Sequence, residues 1–86
     1  MQPVKVTWHK TQYGWKGVGL YRNYEVTQRH SKSWSTQVIS AMGELVETWH
    51  SRSLKQAKSE AFQMETQIKN VRIQLANNIM KAILDE

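Results

Sequence analysis

The stretch from Ser53 to Leu84 contains neither Pro nor Gly and is built from good helix formers, chiefly Leu, Ala, Lys, Gln, Glu, Met and Arg. Leu54, Ala57, Ala61, Met64, Ile68, Val71 and Leu75 follow one another in alternating steps of three and four. That spacing places all seven on one face of a helix, with the average step of a coiled coil. Ser53 and Gln56 form a capping box at its start: the hydroxyl accepts one orphan N–H, and the amide reaches back to another. A continuous helix here is roughly 45 Å long at about 1.5 Å per residue. The 52 residues before it are too few to cover such a rod, so a second surface is needed.

The rest of the chain reads as one small domain, 1–86, with a sheet in 1–52 and the helix in 53–84. Alternation predicts strands over 4–10, 15–21, 24–30, 34–41 and 44–50. Val4, Val6 and Trp8 face one way, as do Tyr24 and Val26, against outward Glu25, Thr27 and Arg29. Trp34, Thr36 and Val38 share a side. The last strand is ambiguous by one register step: Leu45, Glu47 and Trp49 compete with Val46, Thr48 and His50 for the covered face. Turns are expected at 11–14, with Gly14 at positive φ, at Arg22-Asn23, at 31–33 and at Met42-Gly43. Gly17 and Gly19 mark a bulge or a close approach of backbone. Short connections imply an antiparallel sheet. The expected class is therefore α+β, an antiparallel sheet of three to five strands backed by the first half of one long helix. Leu54, Ala57, Ala61 and Met64 do the covering, and Phe62 flanks them.

From Lys69 onward the helix is too apolar for one exposed stripe. Either it turns back at Asn77-Asn78, or it continues and a second copy covers it. The continuous helix is the expectation, with Ile68, Val71, Leu75, Ile79 and Ile83 as a homodimer seam.

Chemistry is sparse. There is no Cys, which excludes disulfides and thiolate metal sites and suits a reducing cytoplasm. No stretch is long and apolar enough to span a membrane, and the first residues lack the apolar run of a signal peptide. Thr7-Trp8-His9 recurs as Thr48-Trp49-His50, and with His30 this makes three His near strand ends. Without metal-ligand spacing they read as surface histidines, so no metal or other cofactor is expected. No nucleophile elbow, paired carboxylate or phosphate loop is present, so no enzyme activity is expected.

Charge is more informative. The formal net charge is +5, and residues 1–52 hold 7 basic against 3 acidic groups, whereas 53–86 hold 5 against 4. Lys10, Lys16, Arg22, Arg29, Lys32 and Arg52 fall at or near strand ends and turns, interleaved with Tyr13, Trp15, Tyr21, Tyr24 and Trp34. A sheet face bearing Arg and aromatics suits a DNA groove or unpaired bases, with Thr27 and Arg29 as readers.

Trp15 in a Gly-Trp context, Tyr24-Glu25-Val26, Trp34, the Gly43 turn and Ser53-Leu54-Lys55-Gln56-Ala57-Lys58 resemble small phage and prophage accessory proteins. The three strands from Tyr24 to His50 followed by a helix resemble the DNA-binding sheets of AP2-type and integrase arm-binding domains. That resemblance implies a three-stranded sheet entering the major groove and contacts from Arg22, Thr27, Arg29, Trp34 and Thr36. The chain departs from it in its extra N-terminal strands and its apolar helix tail. The leading expectation is a phage-type accessory protein, in the host cytoplasm, binding DNA or RNA through a basic sheet face. A second is an inhibitor or adaptor that docks on a host or phage protein through displayed Trp residues and helix surface. A third is a virion or assembly component whose helix is the function.

Overall fold

The structure, a computed structural model, describes residues 3–84. Five strands, β1 (Thr7–Lys10), β2 (Gly14–Val18), β3 (Arg22–His30), β4 (Ser33–Ser40) and β5 (Leu45–Ser51), precede one helix, α1 (Leu54–Leu84). The strands pair antiparallel in chain order. The fold is α+β, a five-stranded meander with one long helix across one face.

Period two sorts the sheet. Trp8, Gly17, Tyr24 and Val38 lie in one cross-strand row and Trp15, Val26, Thr36 and Trp49 in the next. Both rows face α1. Tyr24, Val26, Thr36 and Val38 are fully buried there, as are Ala57 and Ala61 on the helix, and Tyr24 and Val38 pack against Ala61, whose small side chain lets the helix approach closely. Gly17 carries no side chain opposite Trp8, so the indole lies over its backbone and reaches towards Tyr24. Trp8 and Trp49 flank the Tyr24 ring with centroids 6.5 and 6.4 Å away. All four tryptophans are half-buried on this side, and Lys58 lies over the Trp15 ring at 4.0 Å.

Several boundaries differ from expectation. β1 starts at Thr7, not Val4, although Val6 still packs on the core. Gly14 opens β2 instead of turning, and the positive φ belongs to Gly43, at 86°, in the β4–β5 turn. There Ser40 ties the loop, its Oγ accepting from the N–H groups of Met42 and Glu44. Arg22-Asn23 is not a turn. The chain reverses at Gly19–Tyr21, closed by the Gly19 N–H on the Arg22 carbonyl at 2.9 Å, and β3 begins at Arg22. The ambiguity in β5 is settled by a bulge: Ile39 pairs with Leu45 and Val38 with Glu47, leaving Val46 without an opposite residue. Trp49 and Ser51 then turn to the helix, and Thr48 and His50 away.

α1 is continuous through Asn77-Asn78, which excludes a helical hairpin within 54–84. Ser53 Oγ accepts the Gln56 N–H at 3.0 Å as the capping box requires. The Gln56 amide oxygen reaches back to accept the N–H of Arg52 at 3.1 Å. The helix is anchored a second time at Glu65. This fully buried carboxylate accepts the Tyr21 N–H at 3.0 Å and the Tyr24 hydroxyl at 2.9 Å. Gly19 leaves the carboxylate room, because a Cβ there would strike it. Beyond Arg72, whose guanidinium lies 4.7 Å from the Tyr21 ring centre, the residues from Gln74 to Leu84 are all exposed. The molecule measures 57 × 23 × 21 Å because the helix overhangs its sheet.

Candidate functional site

Antiparallel order brings together segments far apart in sequence. The ends of β1, β3 and β5, the starts of β2 and β4 and the N-terminus of α1 share one end of the molecule. Lys10, Arg29, Lys32, Arg52, Lys55 and Lys58 gather there, with Lys16 two residues inside β2. No acidic residue occurs in 9–18, 26–43 or 48–59. The first turn of α1 also lacks an acid, so the positive end of the helix dipole adds to the same field. At the opposite end Glu44, Glu47 and Glu65 are balanced by Lys5, Arg22 and Arg72. The net charge is thus polarised along the sheet.

The uncovered sheet face is polar. Thr27, Ser35 and His50 form one cross-strand row, and His9, Lys16, Glu25, Gln37 and Thr48 the next. A shallow depression of about 440 Å³ is lined by Thr27, Arg29, Ser35, Gln37, Thr48 and His50. It offers a guanidinium, an imidazole, three hydroxyls and an amide, and no carboxylate lines it. Arg29 stands in a β-bulge: Gln28 pairs with Trp34 and His30 with Ser33, and Arg29 has no opposite residue. A bulge re-aims a side chain and tightens the twist locally.

Of the residues singled out from sequence, Lys16, Thr27 and Arg29 lie on this face and Lys32 and Arg52 at this end, whereas Lys10 shares the end but stands in the helix-side row of Trp15. Trp34 does not join them. It sits at the same end but on the helix side, half-buried, between Gln28 and Ser51 in register. Arg22 lies at the far end of β3, half-buried in the same alternation as Tyr24. Thr36 is buried beneath the helix. The expected mixture of Arg with aromatics on one face is therefore corrected: the tryptophans and Tyr24 fill the covered side, and Tyr13, 74% exposed in the β1–β2 turn, is the aromatic displayed at the basic end. Sequence reasoning missed His50 and Ser35 as partners of Arg29, since only the register brings them together. It also missed Glu65, although its step of four from Ala61 was a signal that it points at the sheet.

Burial and the bond to Glu65 push the Tyr24 hydroxyl well above the usual tyrosine range. It is a fixed donor in a structural anchor. Among the described residues no group of three or more His, Cys, Asp or Glu is close enough to hold a metal ion, and no helix is long and apolar enough to cross a membrane. Comparison with protein-family models, curated proteins and solved structures gives no match.

Proposed function

We propose that this protein binds nucleic acid, laying the basic end of its uncovered sheet face along a phosphate backbone. The observation that carries this reading is the depression around Arg29, free of carboxylate in its lining, at the end of the molecule where Lys32, Arg52 and Lys55 also lie. Arg29 supplies a planar fork for a phosphate. Thr27, Ser35 and Thr48 add hydroxyl donors. Lys10, Lys32, Arg52 and Lys55 supply point charges that hold a polyanion without reading its sequence. The absence of tryptophan from this face favours backbone contacts over base stacking, with Tyr13 the candidate for a single stacked base.

The test is binding to a short DNA duplex, the matching single strand and an RNA of the same length, at 50 and 200 mM salt. Affinity should fall steeply with salt. Arg29→Ala should flatten the duplex salt dependence by about one unit in the log–log slope, and Arg29→Ala/Lys32→Ala/Arg52→Ala should abolish binding with an unchanged circular dichroism spectrum. Arg22→Ala, at the opposite end, should bind like the parent. A triple variant that binds as tightly as the parent, or a parent that binds none of the three at 50 mM salt, removes this reading. In the latter case the apolar surface of α1 makes an adaptor or inhibitor docking on another protein the next reading to pursue.

A further inference from the structure

The overhanging half of α1 carries a feature independent of charge. Stepping by three or four residues from Ala57 and Ala61 through Met64 and Ile68 leads to Val71, Leu75, Ile79 and Ile83. These four lie on the face that the sheet covers further back, but here no sheet is left. They are 64, 58, 53 and 65% exposed. Ile68, half-buried at the sheet's edge, marks the changeover.

We infer that this face is an interface between two copies of the chain, packed antiparallel through their overhangs. The geometry decides the direction. Each sheet stands on the same side of its helix as the apolar stripe. A parallel pair would bring two sheets into one space between the helices. An antiparallel pair sends each helix tip towards the Gly19–Tyr21 turn of the other copy and leaves the sheets at opposite ends. The stripe is self-complementary in that direction, since 71, 75, 79 and 83 are symmetric about residue 77: Leu75 meets Ile79 of the second copy, and Val71 meets its Ile83.

The spacing also fixes the kind of packing. A heptad continued past Leu75 would place Asn78 and Ala82 at the seam, whereas the large apolar residues recur in fours. Ridges of that spacing interlock at about −50°, a crossed pair and not an extended coiled coil. Each side chain offers on the order of 100 Å². Eight of them bury roughly 800 Å², below the roughly 1,200 Å² at which stable specific interfaces begin, which suits a weak, concentration-dependent pair.

The experiment is the solution mass of the full chain by light scattering from 5 to 500 μM, followed by crosslinking. A concentration-dependent dimer is expected, and Leu75→Asp/Ile79→Asp should remain monomeric throughout with parental circular dichroism. The chain has no Cys, so direction can be read directly. Leu75→Cys mixed with Ile79→Cys should give an oxidised heterodimer in several-fold excess over either variant oxidised alone. A parent that is monomeric at 500 μM overturns the inference, as does a dimer that survives the double Asp substitution. Crosslinking of each single variant with itself in preference to the mixture overturns the antiparallel arrangement. None of these readouts involves nucleic acid, so they stand or fall separately from the phosphate-binding reading.

Discussion

The two halves of α1 share one apolar stripe, yet they live in different surroundings, and the far half is the more apolar of the two. From Leu54 to Glu65 the stripe is finished by the sheet: Ala57, Ala61 and Glu65 are fully buried. From Gln74 to Leu84 every residue is exposed. The near half therefore derives its helicity from packing, and the far half from propensity and continuity with a nucleus already formed. Residue size records the difference. Where the sheet is close, the stripe is Ala; where it is absent, the stripe is Val, Leu and Ile. A chain selected only to make an exposed helix has no use for large apolar residues at those positions.

The sharpest way to break this contrast is at Glu65. Glu65→Ala leaves the Tyr21 N–H and the Tyr24 hydroxyl buried without an acceptor and opens a cavity beneath the helix. We expect a loss of about 3 kcal/mol in urea unfolding, whereas Glu65→Gln, which keeps an acceptor, should lose about half of that. Equal stability of the Ala variant and the parent would show that the near half is held by its alanines alone.

Alkaline pH probes the same anchor from its partner. The folded-state pKa of Tyr24 lies above its unfolded value. Its contribution is therefore complete below the ordinary tyrosine pKa of about 10 and declines as pH rises past it, because the unfolded chain ionises and the folded one does not. The expected slope is about 1.4 kcal/mol per pH unit from roughly pH 10 upward. Tyr24→Phe should remove that slope, with stability against pH compared between the two chains by urea unfolding. The same slope in both would place the alkaline sensitivity in other groups.

Much of this architecture is legible in the sequence, and its failures have physical causes. Period-two alternation locates all five strands, and the cap at Ser53 and the freedom from Pro and Gly locate the helix, because these signals are local. The faces of β3 and β4 are readable because Tyr24, Val26, Thr36 and Val38 alternate cleanly. β5 is not, since a bulge at Val46 inverts the parity between Leu45 and Trp49, and no local pattern announces a bulge. The turn at Gly19–Tyr21 was hidden by an apolar sequence that resembles strand. The candidate site was half legible. Its cations were visible one by one, but their collection at one end follows from meander order, and the neighbours of Arg29 follow from register. The side on which the tryptophans lie depends on where the helix docks, which is a tertiary fact.

The comparison is sharpened by enlarging one stripe residue to leucine in each half, from alanine in the near half and from valine in the far half. Ala61→Leu adds volume where the helix meets Tyr24 and Val38, and overpacking there should cost about 1–3 kcal/mol. Val71→Leu adds volume on the same stripe, 10 residues on, where exposed space surrounds it. Measured by urea unfolding at a few micromolar, its effect should stay within about 0.5 kcal/mol, as for surface positions generally. At several hundred micromolar the proposed antiparallel pair would make the two part further, because it places Val71 against Ile83 of the second copy so that enlargement shifts the dimerisation midpoint, while Ala61→Leu shifts unfolding alike at both concentrations. If Val71→Leu is neutral at every concentration, the far stripe makes no contact in solution. If it is as costly as Ala61→Leu at a few micromolar, the overhang is packed within the single chain, and the two halves of α1 differ less than their exposure implies.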